Sequence, residues 1–331
     1  MKQMRSLLVA VTLWLSPLAR AGLIVTPNLH ADSHAMFVYK GTTYQASQGF
    51  DGVSSVSAQA LAGLFTTPEA RTAARVSGDE IAVNARMDDK FLFSLVDFND
   101  NSSTAQYQAT IEKVSGSAEH IFASFLLPLS YVETSTNEEL TLQHVNPVIT
   151  ASIASRLCLD AQCNGTDVTQ FFFQAFFDNT YKAVGQNFIA TGQAGLDVSA
   201  LRHPTITDTT VRDATHGLRI RTLHMEFGPF LGVVDLGELS VGQSLEFNYT
   251  MQAGVFGTGA SNVGIASIND PFFFSTDPVT QGAPVLFETA PADASAPEPG
   301  SLVLAGLGLM VTLGAQARRT SRRLRGRRRG W

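Results

Sequence analysis

The sequence predicts an all-β protein: a β-sandwich or jelly-roll-like body with little helix, between an N-terminal signal helix and a C-terminal transmembrane helix. Three observations predict it. Apolar and polar residues alternate with a period of two in several runs, the pattern of a strand with one face on a core and the other in water. The runs are short, rich in aromatic and β-branched residues, and punctuated by turn pairs such as Asp51-Gly52, Gly78-Asp79, Asn164-Gly165 and Val241-Gly242. Only Thr67 to Val76 reads as a helix, with Pro68 in its first turn. Many short strands with little helix pack as a sandwich.

The elements follow from the N-terminus. Lys2 and Arg5 precede an apolar run from Leu7 to Leu18, then Ala19-Arg20-Ala21. A basic start, a short apolar core and an A-x-A site form a signal peptide, expected over residues 1–21 and cut by signal peptidase after Ala21. The run is too short to cross a bilayer core of about 30 Å. Residues 22–289 are expected to form the exported β body, read as one sandwich; the alternative is two halves meeting near 132–140, in the polar stretch from Val132 to Leu140, which is equally a long hairpin loop. Within the body, Ile81, Val83, Ala85 and Met87 alternate with Ala82, Asn84, Arg86 and Asp88. Lys90–Val96, His120–Leu127, Val168–Phe177 and Gly217–Phe227 are further strand runs, and Leu245, Phe247, Tyr249 and Met251 alternate with Glu246, Asn248, Thr250 and Gln252. Residues 290–299 turn to Ala, Pro and acid, an extended linker.

The chain then carries Pro297-Glu298-Pro299, an apolar run from Gly300 to Ala317, and eight arginines between Arg318 and Arg329. Eighteen residues of helix span about 27 Å, the lower edge of a membrane crossing. A basic cluster directly behind it is held in the cytoplasm. This order resembles the PEP-CTERM sorting signal of Gram-negative bacterial surface proteins, over about Ala296 to Arg329. The resemblance implies recognition by exosortase, a membrane-embedded cysteine protease that processes its substrates near the Pro-Glu-Pro. It also implies association with exopolysaccharide and biofilm matrix at the cell surface. The tail departs from the pattern in having more than the usual few arginines and in running on to Trp331. Phe227–Gly257 and Ile268–Phe274 resemble, diffusely, the closing portion of many such proteins, which again implies a β architecture.

The formal net charge of −6 averages over compartments. From Gly22 to Ala296, twenty-eight acidic residues face twelve basic ones, leaving that part sixteen charges negative. Nucleic acid is therefore excluded as a partner, and direct binding to anionic lipid with it. Cys158 and Cys163 are the only cysteines; in an exported chain a close pair is expected as a disulfide, while two thiols are too few for structural zinc.

Catalytic patterns are missing: there is no G-x-S-x-G, G-x-G-x-x-G, P-loop or H-E-x-x-H. Ser115 and Ser261 stand in turn-like contexts without a partner signal. No catalytic residue and no cofactor are expected, and the chain is read as non-enzymatic. Calcium is the one weak metal candidate: Asp97, Asn99 and Asn101 have calcium-loop spacing, but Ser102 stands where the sharp-turn glycine belongs and Gln108 where the bidentate glutamate belongs. Asp88 and Asp89 rank below them. His30, Asp32 and His34 form a second weak cluster, more simply part of the first strand or a loose terminus. His216 and His224, near Glu226, Asp208 and Asp213, read as a solvated sheet face rather than an acid–base pair. The phenylalanine runs read as core, because sugar platforms favour Trp and Tyr. Two functions follow as expectations: a surface or matrix protein, or a carbohydrate- or calcium-dependent binding module.

Overall fold

The computed structural model describes residues 22–51, 54–61, 69–77, 80–88, 96–137, 146–158, 163–177, 187–214, 217–260, 262–268 and 286–291. The described strands form three antiparallel sheets. The framework sheet runs, in spatial order, β11 (Phe188–Gly192), β10 (Val168–Phe176), β9 (Asn146–Cys158), β15 (Ser244–Ala260), β6 (Val96–Lys113), β1 (Leu23–Tyr39) and β2 (Thr42–Asp51). A second sheet orders β12 (Thr205–Asp213), β13 (Leu218–Phe227), β8 (Ser130–Asn137), β16 (Asn262–Ile268), β5 (Glu80–Asp88), β4 (Glu69–Ser77) and β3 (Ser54–Leu61). The third holds β14 (Phe230–Leu239), β7 (Glu119–Leu127) and β17 (Leu286–Pro291).

The two smaller sheets are one layer broken across its middle. Strand β7 runs into β8 through Pro128-Leu129, and β13 into β14 through Gly228-Pro229. Ser130 pairs with Phe227 and Leu127 with Phe230, so the two proline-bearing links fall opposite each other. Neither proline has an N–H to give to a ladder, and the sheet divides there.

This layer packs face to face on the framework sheet. The Ser33 and Thr72 hydroxyls join β1 to β4 at 2.7 Å, and Ser103 donates to the Asn84 carbonyl at 3.0 Å. Beside them, Phe125 of β7 meets Phe171 and Tyr249 with ring centroids at 4.9 and 5.7 Å, and Phe173 meets Phe227 at 4.9 Å. Such fully buried rings contribute about 1.5–3 kcal/mol each from burial. Gly232 lies beneath Phe125: a Cβ there would stand 2.6 Å from the ring. Tyr249, wholly buried, has its phenol pushed far above the usual range by desolvation and donates to the Leu126 carbonyl at 3.2 Å.

Three expectations are corrected. Residues 69–76 of the expected helix lie in β4, hydrogen-bonded between β3 and β5. Helix propensity is a weak preference that two flanking ladders override, and the small Ala70, Thr72 and Ala74 let β4 lie close against β1. Strand β5 is buried on both faces from Ala82 to Ala85, so its alternation does not divide core from solvent. Val132 to Asn137, read as a loop or boundary, lie in β8, inside a sheet between β13 and β16. Val132, Thr134 and Thr136 face inward there, between the half-buried Tyr131, Glu133 and Ser135.

Candidate binding cleft

The framework sheet turns its second face to solvent, and the alternation of the long strands decides what stands on it. On β6, Ala105, Ala109 and Ile111 go to the core while Thr104, Gln106, Gln108 and Thr110 go outward. On β15, Phe247, Tyr249 and Met251 go inward while Asn248, Thr250 and Gln252 face out. The register aligns these positions into rows: Asn28, Gln108, Asn248 and Ala154 side by side, then His30, Gln106, Thr250 and Ser152. Within such a row, positions repeat at the strand spacing of about 4.8 Å.

Neighbouring side chains tie the rows together. Asn28 Nδ2 donates to Gln108 Oε1 at 3.3 Å, Gln108 Nε2 to Gln106 Oε1 at 3.3 Å, and Thr250 Oγ1 to Asn248 Oδ1 at 3.1 Å.

One end of the face has a wall. The Cys158–Cys163 disulfide ties the end of β9 to the segment that leads into β10. Gly165 then passes so close to β9 that a Cβ would collide with the Leu157 carbonyl. The segment brings Asp167 onto Arg156, whose Nε and Nη2 each donate at 2.9 Å, while Glu246 lies 3.7 Å from the same guanidinium. The hydrogen bond from Arg156 holds the Asp167 carboxyl below its usual range, and Asp167 raises Arg156 in turn. Between this wall and the carboxamide rows lies a cleft of about 400 Å³.

The residues singled out in the sequence fall elsewhere or apart. Asn99 and Asn101 lie on the continuous strand β6, both buried and facing the core, and Asn101 Oδ1 accepts the Met36 N–H at 3.0 Å. Asp97 is on the same strand, where the register slips between Phe98 and Val96. A strand does not curl oxygens around one point, so the calcium-loop spacing has no loop to act in. His30, Asp32 and His34 share the outer face of β1, and His30 bonds Asp51 at 2.6 Å. His224 Nδ1 lies 3.0 Å from Glu133 and its ring stands 5.3 Å from Tyr131, with Glu226 at 3.5 Å. Those bonds to Glu133 and then Glu226 raise its pKa against the opposing effect of burial. Asp208 is bound by Arg221 in a two-pronged ion pair, and Ser115 lies in a surface bend. Among the described residues the one group spaced to hold a metal is Cys158, Cys163 and Glu246, and both sulfurs are in the disulfide. Ala19, Ala21, Pro297, Glu298, Pro299, the apolar run 300–317, the arginine tail, His216, Asp89 and Ser261 lie outside the described residues. Among those described, no helix is long and apolar enough to cross a membrane.

The sequence does not single out the cleft, because amides and threonines on alternate strand positions look like any solvated face. The available signal was their sameness across β6 and β15: Thr104, Gln106, Gln108 and Thr110 against Asn248, Thr250 and Gln252.

Residues 295–319 match the family model of the PEP-CTERM protein-sorting motif. The class of protein so defined is an exported all-β protein whose C-terminal motif marks it as an exosortase substrate, anchored in the membrane and then processed. No curated protein matches the chain.

Proposed function

We propose that the chain is a non-enzymatic protein of the cell surface or extracellular matrix. It is exported by its signal peptide, held by the run 300–317, and cut near Pro297-Glu298-Pro299 by exosortase before release into an exopolysaccharide-rich matrix. The observation that carries this reading is the sorting motif at 295–319, a few residues beyond β17. The described residues of the body offer interlocked rings and paired ions, which supports a structural or binding role.

The C-terminal mass of protein recovered from cells and from the matrix tests it. Loss of everything beyond the Pro297 region, with or without an added group, is the expected outcome. A matrix-borne chain still ending at Trp331 overturns the reading. The binding-module reading draws support from the carboxamide cleft, and its calcium-dependent form predicts a calcium-induced rise in melting temperature.

A further inference from the structure

The cleft has a composition at odds with the rest of the molecule. Residues 22–296 are sixteen charges negative, yet the floor of the cleft, formed by Asn28, Gln108, Asn248 and Thr110, carries no charge. The wall holds Arg156 between Asp167 and Glu246, so the lining as a whole is one charge negative. An anionic polymer meets repulsion from body and wall together. A cationic polymer gains most on the acidic surface elsewhere and nothing from an uncharged floor. A neutral ligand rich in hydroxyls matches what the floor offers, since each carboxamide provides two donors and two acceptor positions. In the bonds described above Asn28 and Asn248 each use one of those positions and Gln108 uses two.

Spacing adds direction. The floor repeats across β1, β6 and β15 at about 4.8 Å, close to the repeat of an extended β-linked hexose chain. A chain laid across the strands therefore meets one carboxamide per sugar. In the adjoining row, after Ser152, comes the half-buried Phe172 of β10, an aromatic edge beside the polar rows.

We propose that this cleft binds a neutral polysaccharide with an extended β-linked backbone, lying across β1, β6 and β15. This deepens the binding reading by naming a site and a ligand class. It is tested on purified protein, so it stands or falls separately from the sorting reading, which the C-terminal mass decides.

The experiment is affinity electrophoresis of the full chain in native gels containing hydroxyethylcellulose, dextran, alginate or chitosan, with binding constants taken from the retardation. Retardation is expected in hydroxyethylcellulose, with little in flexible α-linked dextran. The double variant Gln108→Ala/Asn248→Ala should bind at least about tenfold more weakly, the equivalent of about 1.4 kcal/mol, at an unchanged melting temperature. Should that variant fail to fold, Asn248→Asp, which keeps the shape and places a charge on the floor, is expected to give the same loss. Three results overturn the proposal: no retardation in hydroxyethylcellulose, retardation only in alginate or chitosan, or equal retardation of the folded variants.

Discussion

Phe125 is the residue on which the aromatic core turns. It is fully buried and touches Phe171, Phe230 and Tyr249, joining β7 and β14 to the framework sheet. Phe125→Ala should cost about 3–5 kcal/mol, the range for truncating a buried aromatic, read by denaturant unfolding at an unchanged slope. His224 makes a prediction of the opposite kind, in pH. Its folded pKa is raised by Glu133 and Glu226, with Tyr131 packed on the ring. The stability it lends is therefore fully present below the unfolded value of about 6.5 and lost as pH rises through the raised folded value. Melting curves should show the wild type losing stability over that window relative to His224→Gln; parallel curves would remove the pair from the account. At this scale the sequence was legible in kind and blind in partner. Tyr249 could be assigned to the core from alternation, and Phe171 and Phe173 from the reading of the phenylalanine runs as core. That Glu133, ninety-one residues away, would stand beside His224 depends on which strands become neighbours, and alternation carries no such information.

Strands and their connections were legible where one face is wet. Strand β15 reads cleanly because its outward residues are polar along the cleft side of the sheet. Strands β4 and β5 misled because consecutive residues, Thr72 to Ala74 and Ala82 to Ala85, are buried on both faces, so no wet face marks them, and β4 is rich in alanine, the residue most easily taken for helix. The connection from β9 to β10 is the element on which the cleft wall depends, through its disulfide and the Arg156–Asp167 pair. Replacing Cys158 and Cys163 with serine should lower stability by about 2 kcal/mol on the loop-closure model for so small a ring. If the segment is the wall described here, the same change should also weaken retardation by hydroxyethylcellulose. Loss of stability with binding intact would leave the disulfide a clip and nothing more.

On the scale of the whole molecule, the question is how a processed C-terminus leaves the sandwich intact. The last described strand, β17, pairs along β7 from Leu286 opposite Ser124 to Pro291 opposite Glu119. Its Phe287 packs edge-on against Phe247 of the framework sheet at 5.2 Å, so β17 belongs to the core layer although it ends the body. Only residues 292–296 separate it from the Pro-Glu-Pro, a reach of about 17 Å when extended. That separation is enough to offer the motif to a protease at the bilayer and too short to let the body swing far from it. The cut proposed near Pro297 thus falls beyond the last described ladder, which ends at Pro291. A chain stopped after Pro291 should therefore melt within about 1 °C of the full-length protein, since about 1 kcal/mol shifts the midpoint of a domain this size by only 2–4 °C. One stopped before Leu286 removes the strand, exposes the edge of β7 and takes from Phe247 the nearer of its ring contacts, that with Tyr107 at 6.4 Å remaining. It should melt several degrees lower and aggregate more readily through the unpaired edge. Equal melting of the two truncations would mean that β17 contributes nothing to the body, and the place of the cut would then need another explanation.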